Sequence, residues 1–175
     1  VVLGEPKTID NDLVLTDHTP GFGSAARYVA STVREICVDA GVYDTRSVTI
    51  VEIMGRHAGW LTAAGVLARK FRGDNPLLVY LPEVPFDQEA FLKKVEECFS
   101  VNNAVVVCVS EGIRDKDGVF VCEYDSEAGL DSFGHKMLAG CGKYLERLVR
   151  GRLGVKARSV ELNVCQRCSV SMLSA

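Results

Sequence analysis

The chain has 175 residues, a net charge of −3 and a sequence pI near 5.7, with 47% apolar and 25% charged residues. The acidic balance argues against a nucleic-acid or anionic-membrane partner, and no apolar run approaches the roughly 20 residues that span a bilayer. This length allows one domain, or one and a fraction, and the apolar content is sufficient for a core.

The first half of the chain predicts alternating strands and helices. The apolar start, Val1–Leu3, is interpreted as a strand, and a helix is predicted over 25–36, where apolar residues recur at helical spacing. The β-branched run Val48–Ile53 predicts a buried strand. The alanine- and leucine-rich stretch Ala58–Lys70 then predicts a helix, and Leu77–Leu81 predicts another strand.

The second half continues the alternation. Asp87 is typical of a helix cap, and the apolar residues that follow it share one helical face up to Phe99. Ala104–Val109 is the most apolar predicted strand, and a turn over 115–118 suggests a short hairpin. A helix capped by Asp131 or Ser132 follows, and Ser159–Val164 is the last predicted strand.

This alternation predicts an α/β fold, a mostly parallel sheet with helices on both faces in a Rossmann-type three-layer lobe. Ligands of such sheets bind beyond the carboxyl ends of the strands. Polar or glycine-containing motifs follow four of the predicted strands: Lys7, Asp10 and Asp12; Met54, Gly55 and Arg56; Glu111; and Arg167. We therefore expect them to converge on one rim.

The segment 6–13, PKTIDNDL, combines a cation, a hydroxyl and two carboxylates. Lys7 can bind phosphate, while one of Asp10 and Asp12 can accept a hydroxyl proton and the other can help hold Mg²⁺. These residue types suit phosphoryl transfer. Taken alone, the Asp-Asn-Asp run is also typical of an ordinary polar turn.

Four motifs in this order resemble the phosphofructokinase family: TIDND at 8–12, MGR at 54–56, SEG at 110–112 and QR at 166–167. The resemblance implies a phosphofructokinase-like fold and a 6-phosphofructokinase of glycolysis. Such an enzyme transfers a phosphoryl group to the 1-hydroxyl of fructose 6-phosphate with Mg²⁺ as cofactor.

The resemblance also implies roles for the residues of TIDND. Asp10 would be the general base, and Asp12 would help position Mg²⁺, directly or through a water molecule. Thr8 would hydrogen-bond the moving phosphoryl group or the sugar. Lys7 matches the family members that use pyrophosphate, although some ATP-dependent members keep this lysine, so the ATP-dependent enzyme is the alternative.

The remaining motifs are implied to bind the sugar phosphate. Met54, Gly55 and Arg56 would bind the sugar phosphate, and Glu111 would accept hydrogen bonds from sugar hydroxyl groups. Arg158 and Arg167 would bind the 6-phosphate. Arg158 aligns with an arginine that, in family members, reaches the site of a neighbouring subunit. The resemblance therefore implies a homo-oligomer, a dimer or a tetramer. For an isolated motif, the structural alternative is a solvated charge or a loop cap.

Two positions depart from the family pattern. Val164 stands where the ATP-dependent bacterial branch usually has histidine, and Ser47 stands where an arginine often precedes the MGR strand. The second departure puts part of the cross-subunit phosphate grip in doubt. A non-catalytic, sugar-phosphate-binding regulatory paralogue is a further alternative, against which the intact TIDND argues.

By resemblance, residues 1–21 end the phosphoryl-donor lobe, 22–165 form the sugar-phosphate lobe, and 166–175 begin the return to the donor lobe. We therefore expect the chain to be a piece of a longer protein and to be inactive alone. The seven cysteines suggest reduced, buried thiols in a cytoplasmic protein, and neither metal binding nor redox use of Cys165 and Cys168 is expected.

Overall fold

A computed structural model of the protein describes residues 1–4, 7–75, 77–124 and 140–168. Its elements alternate along the chain, as expected. The helices are α1 (Phe22–Ala40), α2 (Trp60–Ala64), α3 (Gln88–Cys98), α4 (Cys141–Leu153) and α5 (Cys165–Cys168); the strands are β1 (Ser47–Ile53), β2 (Leu77–Tyr80), β3 (Ala104–Ser110) and β4 (Lys156–Glu161); 3-10 helices cover Gly65–Ala68 and Val121–Tyr124.

The strands form one parallel four-stranded sheet in the order β2-β3-β1-β4. The two central strands, β1 and β3, are buried along their whole length because helices cover both faces of the sheet. The predicted α/β class and the parallel arrangement are confirmed.

Side chains of the central strands alternate between two apolar clusters. Ile50 and Val107 pack with residues of α3 and α4 on one face, while Val51 and Val106 pack with residues of α1 and α2 on the other. Successive side chains of a strand point to opposite faces, so one β-branched run serves both layers.

Helix α1 turns the apolar periodicity of its sequence into one buried stripe, formed by Ala25, Val29, Val33, Cys37 and Ala40. Helix α3 begins at Asp87, whose carboxylate accepts a hydrogen bond of 2.8 Å from the Ala90 N–H, as the sequence predicts.

The structure corrects several predicted boundaries. Residues 1–4 form no strand, and Val1–Leu3 are fully exposed, because none of the four described strands pairs with them. The final strand spans Lys156–Glu161 rather than Ser159–Val164, since its register is set by pairing with β1. The helix predicted over Ala58–Lys70 begins at Trp60, continues as a 3-10 helix from Gly65 and ends at Ala68. Gly65 packs against the Cys108 thiol.

The proposed caps Asp131 and Ser132 lie outside the described residues, as does the segment 169–175. In the described part of the chain, helix α4 begins after Gly140. None of the helices that can be described is long and apolar enough to cross a membrane.

Candidate active site

The sheet register brings the ends of β1, β3 and β4 to one level. Ile53 pairs with Ser110, and Glu52 pairs with Glu161. The loops that follow these strands therefore share the carboxyl edge of the sheet, where open α/β folds bind ligands.

The Asp10 loop, residues 7–12, is held mainly by its own neighbourhood. Ile9 is buried in the cluster beneath α1. The Asn11 amide oxygen accepts a 2.8 Å hydrogen bond from the Thr19 N–H, and its NH₂ group donates to the Asp17 carbonyl at 3.2 Å. Asn11 adopts a φ of 57°, a conformation that Asn tolerates better than most residues. The Thr8 hydroxyl oxygen accepts from the Asp10 N–H at 3.1 Å.

Burial and four charged residues shift the pKa of Asp10. Burial raises the pKa of its carboxyl group, and the neighbouring Asp12 raises it further. Arg167, Arg56 and Lys7 act in the opposite direction and lower the same pKa. One carboxylate oxygen, Oδ1, is buried without a hydrogen-bond partner among the described residues. The charges of four other predicted residues, Asp12, Arg167, Arg56 and Lys7, therefore act on the Asp10 carboxyl group.

The Gly55 loop, residues 54–57, is held from other parts of the chain. The Gln166 amide oxygen accepts from the Met54 N–H at 3.2 Å, and Glu111 Oε1 accepts from the Gly55 N–H at 3.4 Å. The buried Ser110 hydroxyl donates to the Gly55 carbonyl. Each peptide group at the start of this loop therefore has a side-chain partner more than 50 residues away.

Two glycines allow this loop to take its shape. Gly55 has a φ of 126°, which strains any residue with a Cβ atom. Gly112, in the segment after β3, lies so close to the loop that a methyl group there would collide with the backbone carbonyl of Arg56. The backbone at Gly112 can consequently approach the backbone at Arg56 closely.

Glu111 links the two loops electrostatically. Burial raises the pKa of its carboxyl group, and Glu52 and Asp10 raise it as well. The Gly55 N–H and the Arg56 guanidinium lower it. A half-buried carboxylate beside an arginine can accept hydrogen bonds from a polyhydroxyl ligand while the guanidinium binds an anionic group.

Comparison with known proteins assigns the chain to a family. The family model for phosphofructokinase matches residues 1–170. The chain belongs to the phosphofructokinase family.

Individual relatives agree with this phosphofructokinase assignment. The "Pyrophosphate--fructose 6-phosphate 1-phosphotransferase" of Xanthomonas campestris is 47% identical over 98% of this chain and 41% of the relative. The "ATP-dependent 6-phosphofructokinase 2" of Streptomyces coelicolor is 38% identical over 97% of this chain and 47% of the relative. The chain thus spans less than half the length of these relatives.

A solved structure has the same fold. The crystal structure of a pyrophosphate-dependent phosphofructokinase from Marinobacter aquaeolei matches with a TM-score of 0.79 and 35% identity. The match covers 97% of this chain and 38% of the solved chain.

Arg158 is the predicted site residue that does not join the rim of this phosphofructokinase chain. It pairs with Thr49 in the middle of the sheet, four residues before the end of β1. Its guanidinium lies 3.6 Å from the Asp39 carboxylate at the end of α1. Within the described part of the chain, Arg158 is therefore an edge-strand cation whose binding role stays a prediction.

Glu52 is a site-supporting residue that the sequence analysis missed. It is buried in β1 and accepts from the N–H groups of Gly142 at 2.7 Å and Gly140 at 3.2 Å, at the start of α4. Burial raises the pKa of its carboxyl group, and these two donors partly offset the effect. The available signal was a charged residue inside an otherwise uncharged, buried strand.

The cysteines divide into two groups. Five free thiols are buried, as expected: Cys37, Cys98, Cys108, Cys122 and Cys141. Cys165 and Cys168 are exposed, because α5 presents only Gln166 to the interior. The expectation of burial is therefore wrong for this pair.

Proposed function

We propose that these residues belong to a 6-phosphofructokinase that transfers a phosphoryl group from pyrophosphate to the 1-hydroxyl of fructose 6-phosphate. The observation that carries the proposal is Asp10, whose buried oxygen has no hydrogen-bond partner among the described residues. The charges of Arg56 and Arg167 act on the same carboxylate. One rim therefore combines a proton acceptor with groups that bind anions.

Asp10 is the general base in this proposal. It accepts the proton of the 1-hydroxyl group while the hydroxyl oxygen attacks phosphorus. The raised pKa makes Asp10 a stronger base than an ordinary aspartate, since its ionised form is disfavoured by burial and by Asp12. We therefore expect the acid limb of the pH profile of kcat/KM, which reports the free enzyme, to lie above the ordinary aspartate pKa of 3.8.

The other rim residues hold the substrates. Arg56 and Arg167 bind anionic oxygens of the sugar phosphate, and Glu111 accepts hydrogen bonds from sugar hydroxyl groups. The shape of the Gly55 loop supports the role of Arg56, because its backbone is fixed before a ligand arrives. The Thr8 hydroxyl can still donate a hydrogen bond to the phosphoryl group, since only its oxygen is used by the Asp10 N–H.

The residues present fit Mg²⁺. Asp12 is exposed, Asp10 has an acceptor oxygen without a partner, and both offer the oxygen ligands that this ion prefers. No group of three or more His, Cys, Asp or Glu side chains within the described ranges could hold a metal ion by itself. Asp12 would therefore hold the ion jointly with phosphate oxygens, directly or through water. Bound Mg²⁺ supplies positive charge that stabilises the moving phosphoryl group.

Pyrophosphate is the proposed donor because Lys7 adds an exposed cation whose charge acts on the Asp10 carboxyl group. The pyrophosphate-named relative at 47% identity also supports this choice. ATP is the second candidate, supported by the ATP-dependent relative at 38% identity. A non-catalytic sugar-phosphate-binding protein is disfavoured by the intact Asp10 site.

The decisive experiment compares phosphoryl donors on the full-length protein. With fructose 6-phosphate and Mg²⁺, we expect turnover with pyrophosphate that greatly exceeds turnover with ATP. Turnover with ATP alone would overturn the choice of donor. Binding of fructose 6-phosphate without turnover from either donor would instead support the non-catalytic alternative.

We also propose that the full-length protein is a homo-oligomer and that it is cytoplasmic. A homo-oligomer, a dimer or a tetramer, would let Arg158 serve the site of a second copy, in exchange for its ion pair with Asp39. The position of Arg158 away from the rim of its own chain supports this arrangement. A cytoplasmic location suits the buried, free thiols.

A further inference from the structure

A second arginine reaches the Gly55 loop from the segment after β3. The Nη2 atom of Arg114 lies 2.6 Å from Nδ1 of His57. A guanidinium group can only donate hydrogen bonds, so Nδ1 of His57 must be the acceptor. The proton of the neutral imidazole ring is therefore on Nε2.

Arg114 is a well-anchored side chain. Its guanidinium carbon lies 4.3 Å from the centroid of the Phe120 ring, a cation–π contact. Its backbone carbonyl accepts a 2.6 Å hydrogen bond from the Phe86 N–H, and its backbone forms an antiparallel bridge with Phe120. An arginine that is fixed at both its backbone and its guanidinium can in turn fix the imidazole that it contacts.

The contact with His57 completes a row of contacts along the Gly55 loop. Ser110, Glu111 and Gly112 hold or abut the peptide groups of Gly55 and Arg56. Arg114, four residues beyond Ser110, holds the side chain that follows Arg56.

Arg56 itself is exposed, and its guanidinium has no hydrogen-bond or ion-pair partner within the described ranges. Its direction therefore depends on the backbone at 55–57.

We propose that Arg114 is a positioning residue for substrate binding, which acts through His57 to fix the direction of Arg56. The inference rests on the proposed function, in which Arg56 binds the sugar phosphate. Without the anchor, the loop must be ordered when the ligand binds, and this entropic cost weakens binding. The cost falls on the KM for fructose 6-phosphate rather than on kcat, because the Asp10 loop does not contain either residue of the pair.

The kinetic test uses the full-length protein and a matched control. Arg114→Met should raise the KM for fructose 6-phosphate about five- to tenfold, the usual worth of one such hydrogen bond, with kcat and the KM for pyrophosphate nearly unchanged. Lys116→Met removes an exposed cation from the same segment and should leave all three constants unchanged. Equal behaviour of the two variants would overturn the inference.

A second pair of variants replaces the exposed His57 and so avoids a folding defect. His57→Leu should reproduce the effect of Arg114→Met, while His57→Gln should rescue binding in part, since its amide oxygen can accept from Arg114. The double variant His57→Leu/Arg114→Met should be no worse than either single variant, because both remove one contact. Additive effects would show that Arg114 does not act through His57.

A spectroscopic readout separates this inference from the proposed function. Long-range ¹H–¹⁵N NMR of histidine-labelled protein, without substrate, should show neutral His57 as the Nε2–H tautomer with no Nδ1–H population, and Arg114→Met should return His57 to the mixture of both tautomers that free histidine shows. Failure to see the tautomer would contradict the contact even in an active enzyme. An inactive wild-type protein with the expected tautomer would instead contradict the proposed function alone.

Discussion

The two loops of the rim are built in opposite ways. Met54 and Gly55 of the Gly55 loop are bonded to the side chains of Ser110, Glu111 and Gln166, all distant in the chain. The hydrogen bonds of the Asp10 loop span at most eight residues, through Thr8 and Asn11. One loop is shaped by the tertiary fold, while the other folds largely on itself above one buried side chain.

The difference matches the chemistry proposed for each loop. A loop that binds a ligand by shape benefits from a backbone that is fixed in advance, since less entropy is lost on binding. A base instead benefits from a carboxylate with a free acceptor atom. Burial raises the pKa of both Asp10 and Glu111, and the Gly55 N–H partly offsets this effect at Glu111.

The largest expected effect comes from removing the carboxylate of the Asp10 loop. Asp10→Ser in the full-length protein should lower kcat on the order of 10³-fold, since it removes the general base. Asp17→Ser, which removes an exposed carboxylate from the next segment, is the control and should retain activity. Steady-state kinetics with near wild-type turnover for Asp10→Ser would contradict the role of Asp10.

A substitution outside the Gly55 loop should disturb its backbone. Gly112→Ala places a methyl group against the Arg56 carbonyl and should lower the free energy of unfolding by about 1–3 kcal/mol, the usual cost of overpacking. Gly151→Ala lies in α4 with open space around it and should raise that free energy by about 0.5–1 kcal/mol. Chemical denaturation measures both, and an equal response would contradict the proposed backbone contact.

The Asp10 loop should be sensitive to its own short-range bonds. Asn11→Ala removes two hydrogen bonds and leaves the Thr19 N–H without an acceptor, so unfolding should become easier by about 1–3 kcal/mol. Asn11→Gly removes the same bonds but accepts the positive φ, so it should cost less than alanine. If glycine costs as much, backbone strain contributes nothing at this position.

The smallest expected effect is the change in the free energy of unfolding when the ionisable group of Asp10 is removed. The folded pKa of Asp10 lies above its unfolded value, so its ionisation destabilises the fold above the folded pKa. Asp10→Asn should therefore raise the free energy of unfolding at pH 7. The gain should fade as pH falls from the folded pKa towards the unfolded pKa, and it should be absent below the unfolded pKa, where Asp10 is neutral in both states. A gain that does not change with pH would point to packing instead.

Local patterns predicted much of the architecture. The β-branched runs identified β1 and β3, and helical spacing identified α1, because burial imposes these periods directly. The apolar start Val1–Leu3 followed the same pattern but formed no strand, since a strand requires a paired neighbour. The boundaries of β4 failed for the related reason that register depends on β1.

The motifs along the sequence by themselves determined the family and indicated the loops of the rim, because charged and glycine-containing motifs can be recognised without coordinates. Only the tertiary structure decided which groups meet there. It placed Arg158 beside Asp39, Glu52 beneath α4 and Arg114 against His57. These contacts join residues between about 50 and 120 positions apart in the numbering, and their distances depend on strand order and register, which no local pattern contains.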